Sequence, residues 1–311
     1  MAQQKNRKTE SLWKDAFKRL LKNRMAIVGG VIIILLALIA IFAPLIAPYP
    51  FDEGDFTANY APPGGKYLLG ADFMGRDLFS RLLYGTRISL MVGTMGALFS
   101  FTVGILYGTI SGYYGGKLDN VMMRFVDVLY AFPSLLFIIL LMVTFKSGFS
   151  NQEARSAFVK AIAGFDKAVG GMFFILVGIS LTSWVGMARL SRGMALSLRE
   201  TEFVQAAKAL GASDLRIIIK HLTPNLLGPM LVSVALAVPG FIGTEAFLSF
   251  IGLGIDPPQP SWGAMIAEGF KSMRSHPHLA IFPGVALALT MLSFNFLGDG
   301  MRDALDPKMK R

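Results

Sequence analysis

EFVQAAKALGASDLRIIIKHLTP, residues 202–224, is a polar stretch with helical periodicity set between long apolar runs. Phe203, Ala206, Ala207 and Leu210 recur at i, i+3, i+4 and i+7, Gly211 ends that pattern, and Leu215, Ile218, Ile219 and Leu222 repeat it up to Pro224. The spacing predicts two short amphipathic helices joined at Gly211. Adjacent alanines followed by a glycine leave the first helix with a face bare enough for another backbone to come close. Two readings fit: a segment kept at the membrane surface to receive a partner, and a loop that covers the chain's own membrane helices.

The surroundings of this stretch are those of an integral membrane protein. Of the 311 residues 53% are hydrophobic and 16% charged, with a mean hydropathy of +0.54, whereas soluble domains carry about 25% charged residues. With no cysteine, disulfides, thiol nucleophiles and cysteine metal sites are excluded. The formal net charge of +10 is not arranged as a basic stripe interleaved with stacking aromatics, so nucleic acid is not an expected partner.

Six apolar runs, near 25–47, 88–112, 122–145, 168–188, 225–250 and 279–298, reach the roughly 20 helical residues that cross a core of about 30 Å. The first, Met25 to Ala47, exceeds the ~7–15 apolar residues of a secretory signal and reads as a retained anchor. Gly104, Gly108 and Gly112 form a small-residue ladder for close helix packing, and Pro133 is expected to kink the third span. Placing both termini in the cytoplasm leaves 20 Lys and Arg on that side against 10 on the other, the asymmetry that orients membrane chains. Residues 189–224 then face the cytoplasm between spans four and five. The organisation expected is a basic amphipathic segment (1–24), the anchor (25–47), an outer loop with an interfacial helix (48–87), a five-helix core (88–300) and a cytoplasmic tail (301–311).

Catalytic motifs are missing. Gly116-Lys117 imitates a phosphate loop, but Ser111 replaces the first glycine and Leu118 the magnesium-binding hydroxyl. There is no serine elbow, no zinc-type His-Glu-x-x-His and no set of paired carboxylates. His276 and His278 flank Pro277 without further ligands and read as loop residues. No catalytic residue, metal or cofactor is therefore assigned to this chain.

Gln205-Ala206-Ala207-x-x-x-Gly211, with His221 and Pro224-Asn225 after it, resembles the cytoplasmic "EAA" loop of permease subunits in ATP-binding-cassette importers. LGADFMGRDLFSR (69–81), FLSFIGLG (247–254) and NFLGDGMRDALDP (295–307) add to the likeness. Together they resemble the dipeptide, oligopeptide and nickel permease family, in its shorter "C" type subunit, over residues 12 to 308. The resemblance implies an all-α polytopic protein of six transmembrane helices with the type I importer permease fold. It also implies a coupling helix between spans four and five that docks into a groove on an ATPase. The implied partners are a homologous second permease, two ATPase subunits that bind the ATP and magnesium, and a periplasmic or lipid-anchored binding protein. Two positions depart from the family pattern: Gln205 stands for its leading glutamate and Thr223 for the leucine before the proline.

The coupling residues expected on this resemblance are Glu202, Gln205, Ala206, Ala207, Lys208, Gly211, Arg216, Lys220 and His221. Glu245 is the only acidic residue between Pro224 and Ile255, a stretch too long for one crossing. The span is expected to end near Pro239 or Gly240, with Glu245 opening a short helix at the outer interface. Both a gate or path role, shared with Phe247, and a structural helix start fit. Around Arg76, Asp77 and Arg81 an amphipathic helix on the outer surface is expected, to receive the binding protein or brace the path. Leu12, Ala16, Arg19 and Leu20 lie near one side of a basic N-terminal helix suited to an anionic leaflet. The stretch 147–167 fits either an inserted loop or a contact with a binding protein or lipid. The resulting expectation is an importer subunit for peptides in the bacterial inner membrane. Nickel or another small solute is an alternative cargo, and an autonomous secondary transporter an alternative class.

Overall fold

The structure, a computed structural model, describes residues 12–148, 164–166 and 170–305, and among them every regular element is a helix. Most of the stretch 147–167, all of residues 1–11 and the end of the tail therefore lie outside the described residues. Helix α1 (Leu12–Leu20) packs against the last helix of the chain. Helix α2 (Arg24–Ile46) follows a cap in which the Asn23 side chain accepts from the Met25 and Ala26 amides. Its 23 residues extend about 35 Å, enough to cross a bilayer core.

Helix α3 (Leu78–Tyr114) runs 37 residues without interruption, because Asp77 caps it and no proline falls within it. The interfacial helix expected before residue 88 is thus the first turns of this long helix. Gly115, with φ +65°, turns the chain into α4 (Gly116–Ala131), and α5 (Ser134–Gly148) follows. The expected kink at Pro133 is a full break: α4 and α5 meet at 74°. Proline cannot donate to the preceding turn and pushes the residue before it into extended geometry, seen at Phe132 (φ −85°, ψ 127°). Among the described residues five helices are long and apolar enough to span, and the bent pair makes six if counted as one crossing.

Helix α6 (Phe173–Arg199) packs along α3. Gly104, Gly108 and Gly112 line that seam against Met187, Ala188, Ser191, Arg192 and Ala195, and a Cβ on Gly108 would strike the Ala188 carbonyl. The ladder read from the sequence is therefore a packing seam. It is tied by hydroxyls that leave no donor stranded in lipid: Ser100 to the Ser183 carbonyl (2.9 Å) and Ser191 to the Ile105 carbonyl (3.1 Å).

After α7 (Glu202–Ala209) and α8 (Asp214–Ile217), a π-helical turn (Ile218–Leu222) leads straight into α9 (Thr223–Phe250). The expected end of this span at Pro239 is overturned, since α9 continues to Phe250. Its surplus length is covered by protein: α10 (Trp262–Phe270) lies across it, so closely that a Cβ on Gly263 would meet the Ala246 backbone. Helix α11 (His278–Leu305) completes the bundle against α2, α9 and α10.

Candidate coupling surface

Every covered side of the Glu202–Leu222 segment rests on the bundle. Val204, Ile217, Ile218 and Leu222 are buried together, with Tyr113, Leu198, Ala207 and Ala212 packed round them. Gly211 joins α7 to α8 at φ +80°, a left-handed conformation that glycine adopts without steric cost. The amide of Ala212 closes the turn on the Ala207 carbonyl at 3.0 Å.

The opposite side is bare. Phe203, Leu210, Leu215 and Ile219 are all exposed, Leu210 to 89%. The sequence pattern identified the two amphipathic helices and left open which way their apolar stripes face. Three of the four apolar positions of the first repeat, Phe203, Ala206 and Leu210, point away from the protein, and Val204 with Ala207 points in. Glu202, Gln205, Lys208, Arg216 and Lys220 surround the bare patch as exposed side chains, while His221 is half-buried.

Two ties fix this segment to the ends of α3 and α6, and two more lock the ends of α3, α4 and α6 together beneath it. Asp119, buried at the start of α4, accepts both arms of Arg192 (2.6 Å from Nη2) and the Ser111 hydroxyl at 2.6 Å. Such a two-pronged pair fixes orientation as well as distance. Arg199 donates to the Gly112 carbonyl at 3.2 Å, one of the last, otherwise unpaired carbonyls of α3. The Tyr113 hydroxyl donates to Asp214 at 2.6 Å, joining α3 directly to α8. Gln205 donates from Nε2 to the Arg199 carbonyl at 2.9 Å. Asp119, Arg192, Arg199, Tyr113 and Asp214 escaped the sequence reading; the one available signal was an acid and an arginine at the ends of apolar runs.

Both departures from the family pattern have local roles. Gln205 supplies an N–H that an ionised glutamate lacks, so it closes the end of α6 from within the chain. The Thr223 hydroxyl donates to the Ile218 carbonyl at 2.9 Å and helps satisfy the π turn, which a leucine would not.

The far end of the bundle carries the other charged cluster. Arg76 bonds Asp72 at 2.7 Å and Glu268 at 3.2 Å, and Arg81 bonds the same two carboxylates at 2.9 Å each. Asp72 also accepts from the Met74 and Arg76 amides, and Gly75 at φ +72° lets the loop close over Asp55. Arg76, Asp77 and Arg81 are exposed by only 4%, 1% and 2%, which corrects their expected direct contact with a binding protein. Asp77 does not pair with Arg81; it accepts from the Ser80 amide and hydroxyl, each at 2.7 Å, as the cap of α3. Burial pushes the Glu268 carboxyl above its ordinary value, with Arg76 opposing that rise and Asp72 adding to it. His276 stacks on Tyr60 at 4.4 Å, a packing role for that loop histidine.

Glu245 is fully buried, accepting from Ser249 at 2.7 Å and Ser89 at 3.2 Å. It joins α9 to α3 inside the bundle, so the expected short interfacial helix and open gate position are both corrected. Phe247, two residues on, is exposed.

Among the described residues this is a polytopic helical membrane protein whose polar segment between two spans carries an uncovered apolar patch and is hydrogen-bonded to the bundle. Residues 104–311 match the family described as "Binding-protein-dependent transport system inner membrane component", and residues 11–63 match the "N-terminal TM domain of oligopeptide transport permease C". The chain belongs to this family of transport permeases. It is 40% identical over 310 residues to the oligopeptide transport system permease protein OppC of Bacillus subtilis, covering 100% of this chain and 94% of that one. It is 41% identical to the dipeptide transport system permease protein DppC of the same organism, over 99% of this chain and 92% of the relative. An inward-facing structure of the MetNI methionine ABC transporter shares the fold, with a TM-score of 0.55 and 16% identity over 74% of this chain and 98% of that one. The type I importer permease fold expected from the sequence is the fold observed.

Proposed function

We propose that this chain is one membrane half of an ATP-driven importer of peptides. The observation that carries this reading is the bare patch of Phe203, Leu210, Leu215 and Ile219, which a monomer has no reason to leave uncovered on an otherwise polar segment. Docked in an ATPase groove, each of these side chains contributes about 1.5–3 kcal/mol when fully buried. The ties through Asp119, Arg199 and Tyr113 then pass the movement of the ATPases into α3, α4 and α6. ATP and magnesium bind on the two ATPase subunits, and this chain performs no catalysis.

Both termini lie in the cytoplasm, the chain is multi-pass in the bacterial inner membrane, and α1 rests on its anionic leaflet. A homologous second permease supplies the other half of the path, and a periplasmic or lipid-anchored binding protein delivers the cargo. Peptide is the favoured cargo because the relatives named above are oligopeptide and dipeptide permeases.

The test is reconstitution of the complex purified through this chain. ATP-dependent uptake of a labelled tripeptide, absent when the chain is reconstituted alone, is the expected result. Uptake by the lone chain would overturn the subunit reading, and uptake of nickel without peptide would overturn the cargo.

A further inference from the structure

One ion pair stands partly exposed where α4 meets α6. Arg189 Nη2 lies 2.7 Å from Asp127 Oδ1, and the guanidinium stands 4.0 Å above the Tyr130 ring. The Asp127 side chain is 59% exposed and that of Arg189 37%. Asp127 is 11 residues into α4 and Arg189 ten residues before the end of α6. Each is therefore about 15 Å along its axis from the coupling end, close to where the spans give way to the cytoplasmic segment that begins at Arg189. Charges this exposed beside apolar spans face protein or water rather than lipid.

A cleft of about 270 Å³ opens nearby between α5, α6 and α9, with Ser134, Thr182, Ser183, Gly240 and Thr244 in its wall. Thr182, Gly186 and Arg189 follow one another at i, i+4 and i+7, so the cleft and the ion pair share one face of α6. Between them Gly186 is open, with no atom within 4 Å of the place a Cβ would take. On α9 the face that carries Gly240 and Thr244 continues one turn to Phe247, which is exposed.

We propose that the strip Thr182–Gly186–Arg189, with Asp127, is this chain's wall of an aqueous translocation path. Resting on the peptide reading above, the Asp127–Arg189 pair is the point where that wall meets a zwitterionic substrate. A carboxylate and a guanidinium that face each other in the empty path offer one partner to an ammonium and one to a carboxylate. Their opposite charges retain neither a cation nor an anion.

The absence of cysteine makes the test direct. Gly186→Cys, Thr182→Cys and the lipid-facing control Leu106→Cys are introduced singly into the assembled complex and exposed to a membrane-impermeant cationic thiol reagent. The two path cysteines are expected to react at least tenfold faster than the control and to be protected severalfold by saturating tripeptide. Either path variant suffices if the other fails to assemble. Reaction no faster than at Leu106→Cys, in complexes that still transport tripeptide, overturns the path and leaves the peptide function standing. Fast reaction without tripeptide protection removes the substrate contact. Fast reaction in a complex whose cysteine-free parent transports no peptide overturns the cargo and leaves the path.

Discussion

The two ends of α3 are built on opposite plans. At its start, Asp72, Arg76, Arg81 and Glu268 neutralise one another in the interior, and the loop that holds them closes on itself. At its finish, Asp119–Arg192 and Tyr113–Asp214 brace a segment whose outer face carries Leu210, Leu215 and Ile219 with nothing over them. Charges at the first end are spent inside the chain. Apolar area at the second is left uncovered. The charged loop at the first end is thus structural, and the apolar patch at the second is the surface proposed to meet a partner.

Substitutions that separate stability from docking test that contrast. The largest effect is expected for Arg81→Ala, which leaves Asp72 and Glu268 short of a cation in a buried site; breaking such a cluster costs about 3–5 kcal/mol. Thermal unfolding of the detergent-solubilised chain should show a clear fall in melting temperature. An unchanged melting temperature would make the cluster dispensable. Leu210→Asp is expected to do the reverse. It removes about 1.5–3 kcal/mol of docking, a 10- to 150-fold loss of ATPase affinity, while the chain alone melts as before, since Leu210 touches solvent. Copurification of the ATPases and titration of their binding would check it, and intact binding would place the docking face elsewhere.

Gly211→Val comes next. No neighbour obstructs a side chain there, so the cost is confined to the left-handed backbone, about 1–2 kcal/mol. The expected result is a chain that inserts normally, couples ATP hydrolysis poorly to uptake and recruits less ATPase. Normal coupling in this variant would mean that the angle between α7 and α8 does not matter.

The apolar spans, the glycine seam and the two short amphipathic helices were legible in the sequence because each rests on local periodicity. The outward face of α7 was not, because the i, i+3, i+4, i+7 rule finds an apolar stripe without saying whether the protein's own core or a partner covers it. Val204, the residue that decides the orientation, lies outside the stripe. The end of α9 was misread for a related reason. A helix longer than the bilayer suggested a break at Pro239, whereas α10 gave its surplus turns a protein surface to pack on. Glu245 then found three serine neighbours, Ser89, Ser249 and Ser261, on α3, on α9 and at the cap of α10, a convergence that no single stretch encodes. The Asp72 cluster spans nearly two hundred residues and was equally invisible, although its GADFMGRD loop stood out as a motif.

Gln205 gives the smallest and most discriminating effect. Its amide closes the end of α6 by donating to the Arg199 carbonyl, and an ionised glutamate there would set a negative charge against that oxygen. Gln205→Glu is therefore expected to loosen the α6–α7 junction by about 0.5–1.5 kcal/mol, seen as faster amide exchange at the turn from Arg199 to Val204. The same change restores the acid of the family pattern at an exposed position on the rim of the docking face. If the partner presents a basic group there, ATPase affinity rises in a salt-sensitive way even as the junction loosens. If affinity falls together with protection, the glutamine serves only its own chain, and this permease docks by apolar contact.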